Sequence, residues 1–161
     1  MVVYVILVFI TCAVVLWSAV QDLRERMIYV FPITMLHILW SVYLYSFTEW
    51  PKMLLAVFWI LHLCLYLVLN RFSVWGSGDS DMFLLFADIV LATSVVMNGY
   101  SVAIMECLYL IAGLLISIVI GVIESRIRNR KMAGMNEIAV VPGLAIVMIV
   151  VIVRFYIWRW M

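Results

Sequence analysis

Charge is what this chain has least of. Ten lysines and arginines and nine aspartates and glutamates leave 12% of its 161 residues charged, with a net charge of +1. So few cations cannot build a basic face able to neutralise a phosphate backbone, which excludes a nucleic-acid partner. The three cysteines are odd in number, and Cys12, Cys64 and Cys107 each fall inside an apolar run. They read as buried small hydrophobes and exclude a disulfide framework or a cysteine-held metal. Long polar linkers are missing too, so no soluble domain is left over. The N-terminus lacks a basic segment and a small-residue cleavage pattern, which points to a retained first helix and not a removed signal peptide.

What remains is apolar. Hydrophobic residues make up 69% of the chain and the mean hydropathy is +1.25, the composition of an integral membrane protein. Six apolar runs, near residues 2–20, 28–48, 53–69, 82–98, 101–123 and 138–153, are each close to the length that crosses about 30 Å of hydrocarbon. The expectation is an all-α fold of six transmembrane helices forming one polytopic domain over residues 1–161. The connections at 21–27, 70–81 and 124–137 carry Arg24, Arg26, Arg71, Arg126, Arg128, Arg130 and Lys131, against Lys52, Arg154 and Arg159 on the opposite side. Seven cations against three put the first set in the cytoplasm and the N-terminus outside. The basic 124–137 loop suits contact with anionic lipid headgroups.

One stretch stands apart: Trp75-Gly76-Ser77-Gly78-Asp79-Ser80-Asp81, where two glycines and two carboxylates directly precede the apolar run from Met82. Glycines there permit positive φ or close helix contact. A carboxylate at a membrane boundary reads as functional, with a partner elsewhere. That partner is Asp22, which leaves helix 1 on the same side and at similar depth. Two such carboxylates, brought close, cannot both ionise; they share a proton, one activating water and the other protonating the scissile group. The alternative is that both are solvated helix ends.

Gly76-Ser77-Gly78-Asp79 ahead of an apolar helix, with Asp22-Leu23-Arg24-Glu25-Arg26-Met27-Ile28 leaving helix 1, resembles the type IV prepilin peptidase family and its archaeal preflagellin relatives. These are six-helix membrane aspartic proteases of the GxGD class. The resemblance extends to the basic loop before helix 6 and to Pro142-Gly143 early in it. It implies that Asp22 and Asp79 are catalytic, with Gly76, Gly78, Asp81, Arg24 and Pro142 supporting them. It also implies pilin-like precursor proteins as substrates, cut at the cytoplasmic face without a cofactor or metal. Glu25, Asp81, Glu124 and Glu137 are the candidates to meet a basic leader. Two departures from the family pattern occur. Tyr29 and Val30 follow Ile28 where a proline and a polar residue are usual, and Asp81 replaces the lysine usual two positions after the second aspartate. An anion there would strengthen the proton affinity of the pair. Neither length nor cysteines suit the cysteine-rich insertion of members that also methylate, so a peptidase alone is expected.

Asp88, His37 and His62 fall at a common depth, Asp88 about 13 Å from the cytoplasmic edge. They form a hydrogen-bonded structural cluster, a layer without mutual contact, or a metal site. Asp88 lies half a turn of rotation from Asp79 and shares a face with Asp81. Glu106, near the outer end of helix 5, is expected to snorkel to water. Trp17, Trp50, Trp75, Trp158 and Trp160 read as an interfacial belt, and Trp40 and Trp59 as packing. Two competing readings stand beside the peptidase: a small transporter using Asp88, Glu106 and the histidines as an ion or proton path, and a non-catalytic assembly factor.

Overall fold

The computed structural model describes residues 2–72, 76–94, 99–127 and 139–160. The described residues form six α-helices and no strand: α1 (Val2–Glu25), α2 (Val30–Phe47), α3 (Lys52–Arg71), α4 (Ser77–Thr93), α5 (Gly99–Ile127) and α6 (Val141–Trp160). α1, α2, α3 and α5 are long and apolar enough to cross a membrane; α4 has 17 residues and the apolar part of α6 is Val141–Ile157. Six runs were expected to be spans, and these four helices meet that description on length and composition. Large apolar side chains such as Phe9, Leu61 and Leu115 face outward along them, as in a multi-pass membrane protein.

α4 starts five residues earlier than its apolar run, at Ser77, with Asp79 in its first turn. An acidic first turn is favourable because the exposed N–H groups of a helix start carry partial positive charge. From Met82 on, α4 is apolar on every face except at Asp88 and the closing Thr93, and Met82, Leu85, Phe86 and Ile89 are fully buried. Such a helix belongs in the interior. α4 packs against α2, α3, α5 and α6, while α1 packs against α2 and α6, and α5 against α6. The other helices therefore wrap α4 in the order α3, α2, α1, α6, α5. The wrap is least closed between α3 and α5. α3 contributes only Leu55 and His62 to the buried set.

Lipid tails are as apolar as leucine, so helix association here depends on close van der Waals fit and polar contacts. α5 and α6 meet through glycine: a Cβ on Gly143 would strike the Gly113 carbonyl oxygen and Ser117 Oγ, and would lie 2.7 Å from the Ser117 backbone nitrogen. Pro142 occupies the first turn of α6, where its missing N–H costs nothing. Trp40 is packed in the core as expected, donating from Nε1 to Thr11 Oγ1 at 2.9 Å. Trp50, expected at the interface, is also buried, and Trp17 stacks on Tyr29 at a 5.6 Å centroid distance. Cys64 and Cys107 are exposed on the outer apolar faces and not buried; Cys12 is half-buried. Trp75 and the side chains of Trp158 and Trp160 lie outside the described residues.

Candidate active site

At one end of the bundle the last turn of α1, the first turn of α4, the end of α5 and the start of α6 converge. α1 carries Asp22 inward, at 7% exposure. The first N–H groups of α6 have no partner within their own helix, and the Val141 N–H donates to Asp22 Oδ2 at 3.1 Å. One turn after Asp22 the chain reverses at Arg26, whose φ of 56° is left-handed and whose N–H closes on the Asp22 carbonyl at 3.1 Å. Arg26 Nη2 lies 2.7 Å from Glu124 Oε2. This ion pair ties the α1–α2 corner to the end of α5, with the charges of Arg26 and Glu124 both within reach of Asp22.

Asp79 comes from the first turn of α4 and is half-buried. It lies ahead of the apolar run, and burial pushes its carboxyl above the ordinary range, opposed by a hydrogen bond from the Gly76 N–H. Burial and then the charge of Asp79 push the Asp22 carboxyl up to about 6. Both glycines of the motif have a local reason. A Cβ on Gly76 would lie 3.3 Å from Asp79 Oδ2, and one on Gly78 would strike Ile28 Cγ1 and lie 2.7 Å from its Cδ1. The side chain of Ile28 thus fills the space that Gly78 leaves, joining the start of α2 to the start of α4. Carboxyls that come from two helices to one end of the bundle offer a base and an acid, the two groups that acid-base hydrolysis uses.

The structure brings together some expected site residues and leaves others apart. Pro142 is buried beside Val141, next to Asp22. Arg24 and Glu25 are exposed, and the arginine near Asp22 is Arg26 instead. Helical spacing explains this, since a residue four positions on shares a face and one two positions on does not. Asp81, expected to act on Asp79, is buried with the Tyr66 hydroxyl and His37 as its partners, and burial pushes its carboxyl up. Two residues along a helix rotate by about 200°, so Asp81 faces the α2–α3 side while Asp79 faces Asp22. Glu124 is paired with Arg26, and Glu137 lies outside the described residues.

Deeper in the bundle, Asp88 accepts from Trp59 Nε1 at 3.1 Å and from Ser41 Oγ at 3.0 Å, with His37 Nδ1 2.7 Å away. It therefore joins α2, α3 and α4. His62 does not join His37 in one hydrogen-bonded layer. Its Nε2 lies 2.6 Å from Glu106 Oε1 and its Nδ1 is 2.8 Å from the Phe58 carbonyl. Glu106, expected to reach water, is buried at 8% exposure against His62. Among the described residues no three His, Cys, Asp or Glu side chains gather as a metal would need. No protein-family model, curated protein or solved structure matches the chain.

Proposed function

We propose that the chain is a membrane aspartic endopeptidase that crosses the bilayer six times and cuts a short basic leader from pilin-like precursors at the cytoplasmic face. The observation that carries the reading is the approach of Asp22 and Asp79 from two different helices at one end of the bundle. Around them stand the elements through which the sequence resembles the prepilin peptidases: Gly78 receiving Ile28, and the start of α6 donating to Asp22. An Asp22–Asp79 pair held by packing and by a main-chain N–H is more than two solvated helix ends.

In this mechanism Asp22, whose carboxyl is pushed up to about 6 by burial and then by the Asp79 charge, against the opposing Val141 N–H and Arg26, is ionised at neutral pH and takes a proton from water. The resulting hydroxide attacks the scissile carbonyl carbon while the Asp79 carboxyl protonates the carbonyl oxygen. Collapse of the tetrahedral intermediate breaks the C–N bond as the proton on Asp22 passes to the leaving amine and one hydroxyl of the intermediate returns its proton to Asp79, which restores both carboxyls. The precursor's apolar helix stays in the bilayer with its basic leader at this end, where exposed Glu25 offers charge complementarity.

The test is cleavage of candidate precursors by purified protein in detergent or lipid, read as a shortened product. Asp22→Asn and Asp79→Asn should each abolish cleavage while the protein stays inserted and folded, because an amide nearly matches the carboxyl in shape but cannot cycle a proton. The double variant should be no worse than either single one. Near wild-type processing by either single variant would refute the reading.

A further inference from the structure

We propose that the bundle holds a proton path, separate from the Asp22–Asp79 pair, that runs from Glu106 on α5 through His62, Asp88 and His37 to Asp81 at the start of α4 and lets protons cross the membrane. It rests on the polar file inside the bundle and not on the peptidase reading.

Hydrogen-bond accounting at His62 is the first step. The Phe58 carbonyl oxygen has only lone pairs, so the 2.8 Å contact requires Nδ1 to be the donor. Nε2 faces a carboxylate oxygen of Glu106 at 2.6 Å. That contact needs one proton between the two atoms, as imidazolium facing carboxylate or as imidazole facing carboxylic acid. His62 and Glu106 therefore share one proton in a buried place. With both ring nitrogens engaged, His62 has none to offer a metal ion, which leaves proton exchange as its chemistry.

Asp88 is the next station. Trp59 Nε1 and Ser41 Oγ donate to its two oxygens, and His37 Nδ1 lies 2.7 Å from Oδ2. Trp59 and Ser41 fix the carboxylate in place, and His37 is the member able to gain and lose a proton. Between the two histidine–carboxylate pairs lies a cavity of about 140 Å³ walled by His37, His62, Asp88, Phe58, Trp59 and Leu63. A liquid water occupies about 30 Å³, so several fit there with polar partners at both ends. Such a chain of waters passes protons without moving the protein.

Both ends of the file continue toward the faces of the bundle. A second cavity of about 250 Å³ touches His62 and Glu106 and reaches Trp50, just before α3, and Gly99, the first residue of α5. These two residues mark the end opposite Asp79. At the other end, Asp81 is electrostatically coupled to His37 and takes the Tyr66 hydroxyl, about one turn from the start of α4. The titratable groups along the file are His37 from α2, His62 and Tyr66 from α3, Asp81 and Asp88 from α4, and Glu106 from α5. Ionisable side chains from four helices are costly to keep inside a membrane, and proton relays are among the uses that retain them. The file also runs through the gap between α3 and α5, where helix packing is weakest.

The experiment uses the full chain in phosphatidylcholine–phosphatidylglycerol vesicles that contain potassium and the pH dye pyranine. Valinomycin imposes a potassium diffusion potential, and the dye reads the internal pH. Wild-type protein should move protons at least tenfold faster than empty vesicles. Glu106→Gln and His62→Gln should each bring the rate close to that of empty vesicles. Glu106→Asp, which keeps an ionisable carboxyl, should retain more flux than Glu106→Gln. Wild-type flux no greater than in empty vesicles would overturn the proposal, whatever the variants do. Flux unchanged in a Glu106→Gln protein that inserts and elutes like wild type would also overturn it. Precursor cleavage is not needed for any of these readings, so failure of the peptidase reading leaves the test intact.

Discussion

Replacing Gly78 by alanine tests whether the start of α4 is held by the α1–α2 corner. Ordinary carbon–carbon contacts fall at about 3.5–4.0 Å. The new Cβ would strike Ile28 Cγ1 and lie 2.7 Å from Cδ1, so the two segments must part by close to an ångström. Ile28 packs against the core and, being β-branched, is stiff at χ1, so it cannot swing aside cheaply. Overpacking of this kind costs about 1–3 kcal/mol. Because Asp79 is the next residue, the shift is passed directly to its carboxyl, and a misplacement of about 1 Å at a reacting group costs about 10²-fold in rate. Gly78→Ala should therefore melt earlier in detergent and cleave precursor about a hundredfold more slowly. Removing the obstacle should reverse part of this. In Gly78→Ala/Ile28→Ala the two Cβ atoms would stand 3.8 Å apart, an ordinary contact. The cycle of single and double variants should show a favourable coupling of about 1 kcal/mol or more. A Gly78→Ala protein with wild-type melting and cleavage, or strictly additive losses across the cycle, would refute the reasoning.

Three other outcomes are expected. Reporters fused after Arg130 and after Trp50 should fall in the cytoplasm and outside, respectively, from the bias in basic residues; accessibility of the 124–137 loop only from outside would reverse the proposed orientation. Asp88→Asn should lower the melting temperature, since an amide keeps one acceptor oxygen and turns an NH2 either to the Trp59 N–H or to the Ser41–His37 side, at a cost of about 1–3 kcal/mol, while cleavage per folded molecule is kept. A stable but inactive Asp88→Asn protein would place Asp88 in the catalytic machinery. Gly143→Ala should destabilise by about 3 kcal/mol, because the obstacles there include the Gly113 and Ser117 backbone as well as Ser117 Oγ, and backbone cannot swing aside; a thermal melt within a degree of wild type would show that α5 and α6 can separate freely.

How much of this could be read from the residues depended on whether the signal was local. Apolar runs marked the helices because a membrane-facing surface must be apolar whatever its neighbours are. Asp22 and Asp79 stood out for the same kind of reason, being carboxylates where carboxylates are costly. Within one helix, rotation separated Asp79 from Asp88, and it would have selected Arg26 over Arg24 had the four-residue spacing from Asp22 been applied. The polar Ser77–Asp81 stretch read as a loop because composition does not register that a helix start welcomes acids. The His62–Glu106 contact was out of reach, since it joins residues 44 apart on helices that barely pack on one another. Trp50 was misplaced for a similar reason: the residues that cover it come from elsewhere in the chain.

The central position of α4 also bears on how the protein is made. The helix is 17 residues long, starts with two carboxylates and is covered from several sides, with α5 and α6 among its covering neighbours. Those two helices leave the ribosome after it. When α4 emerges, the surfaces it needs do not yet exist, and its own length and composition give it little reason to stay in lipid. A nascent chain that ends at residue 127 would hold α4 with its α6-facing side bare. The insertion machinery must therefore shelter α4 until α6 arrives, and premature termination after α5 should yield a product that membrane quality control destroys quickly.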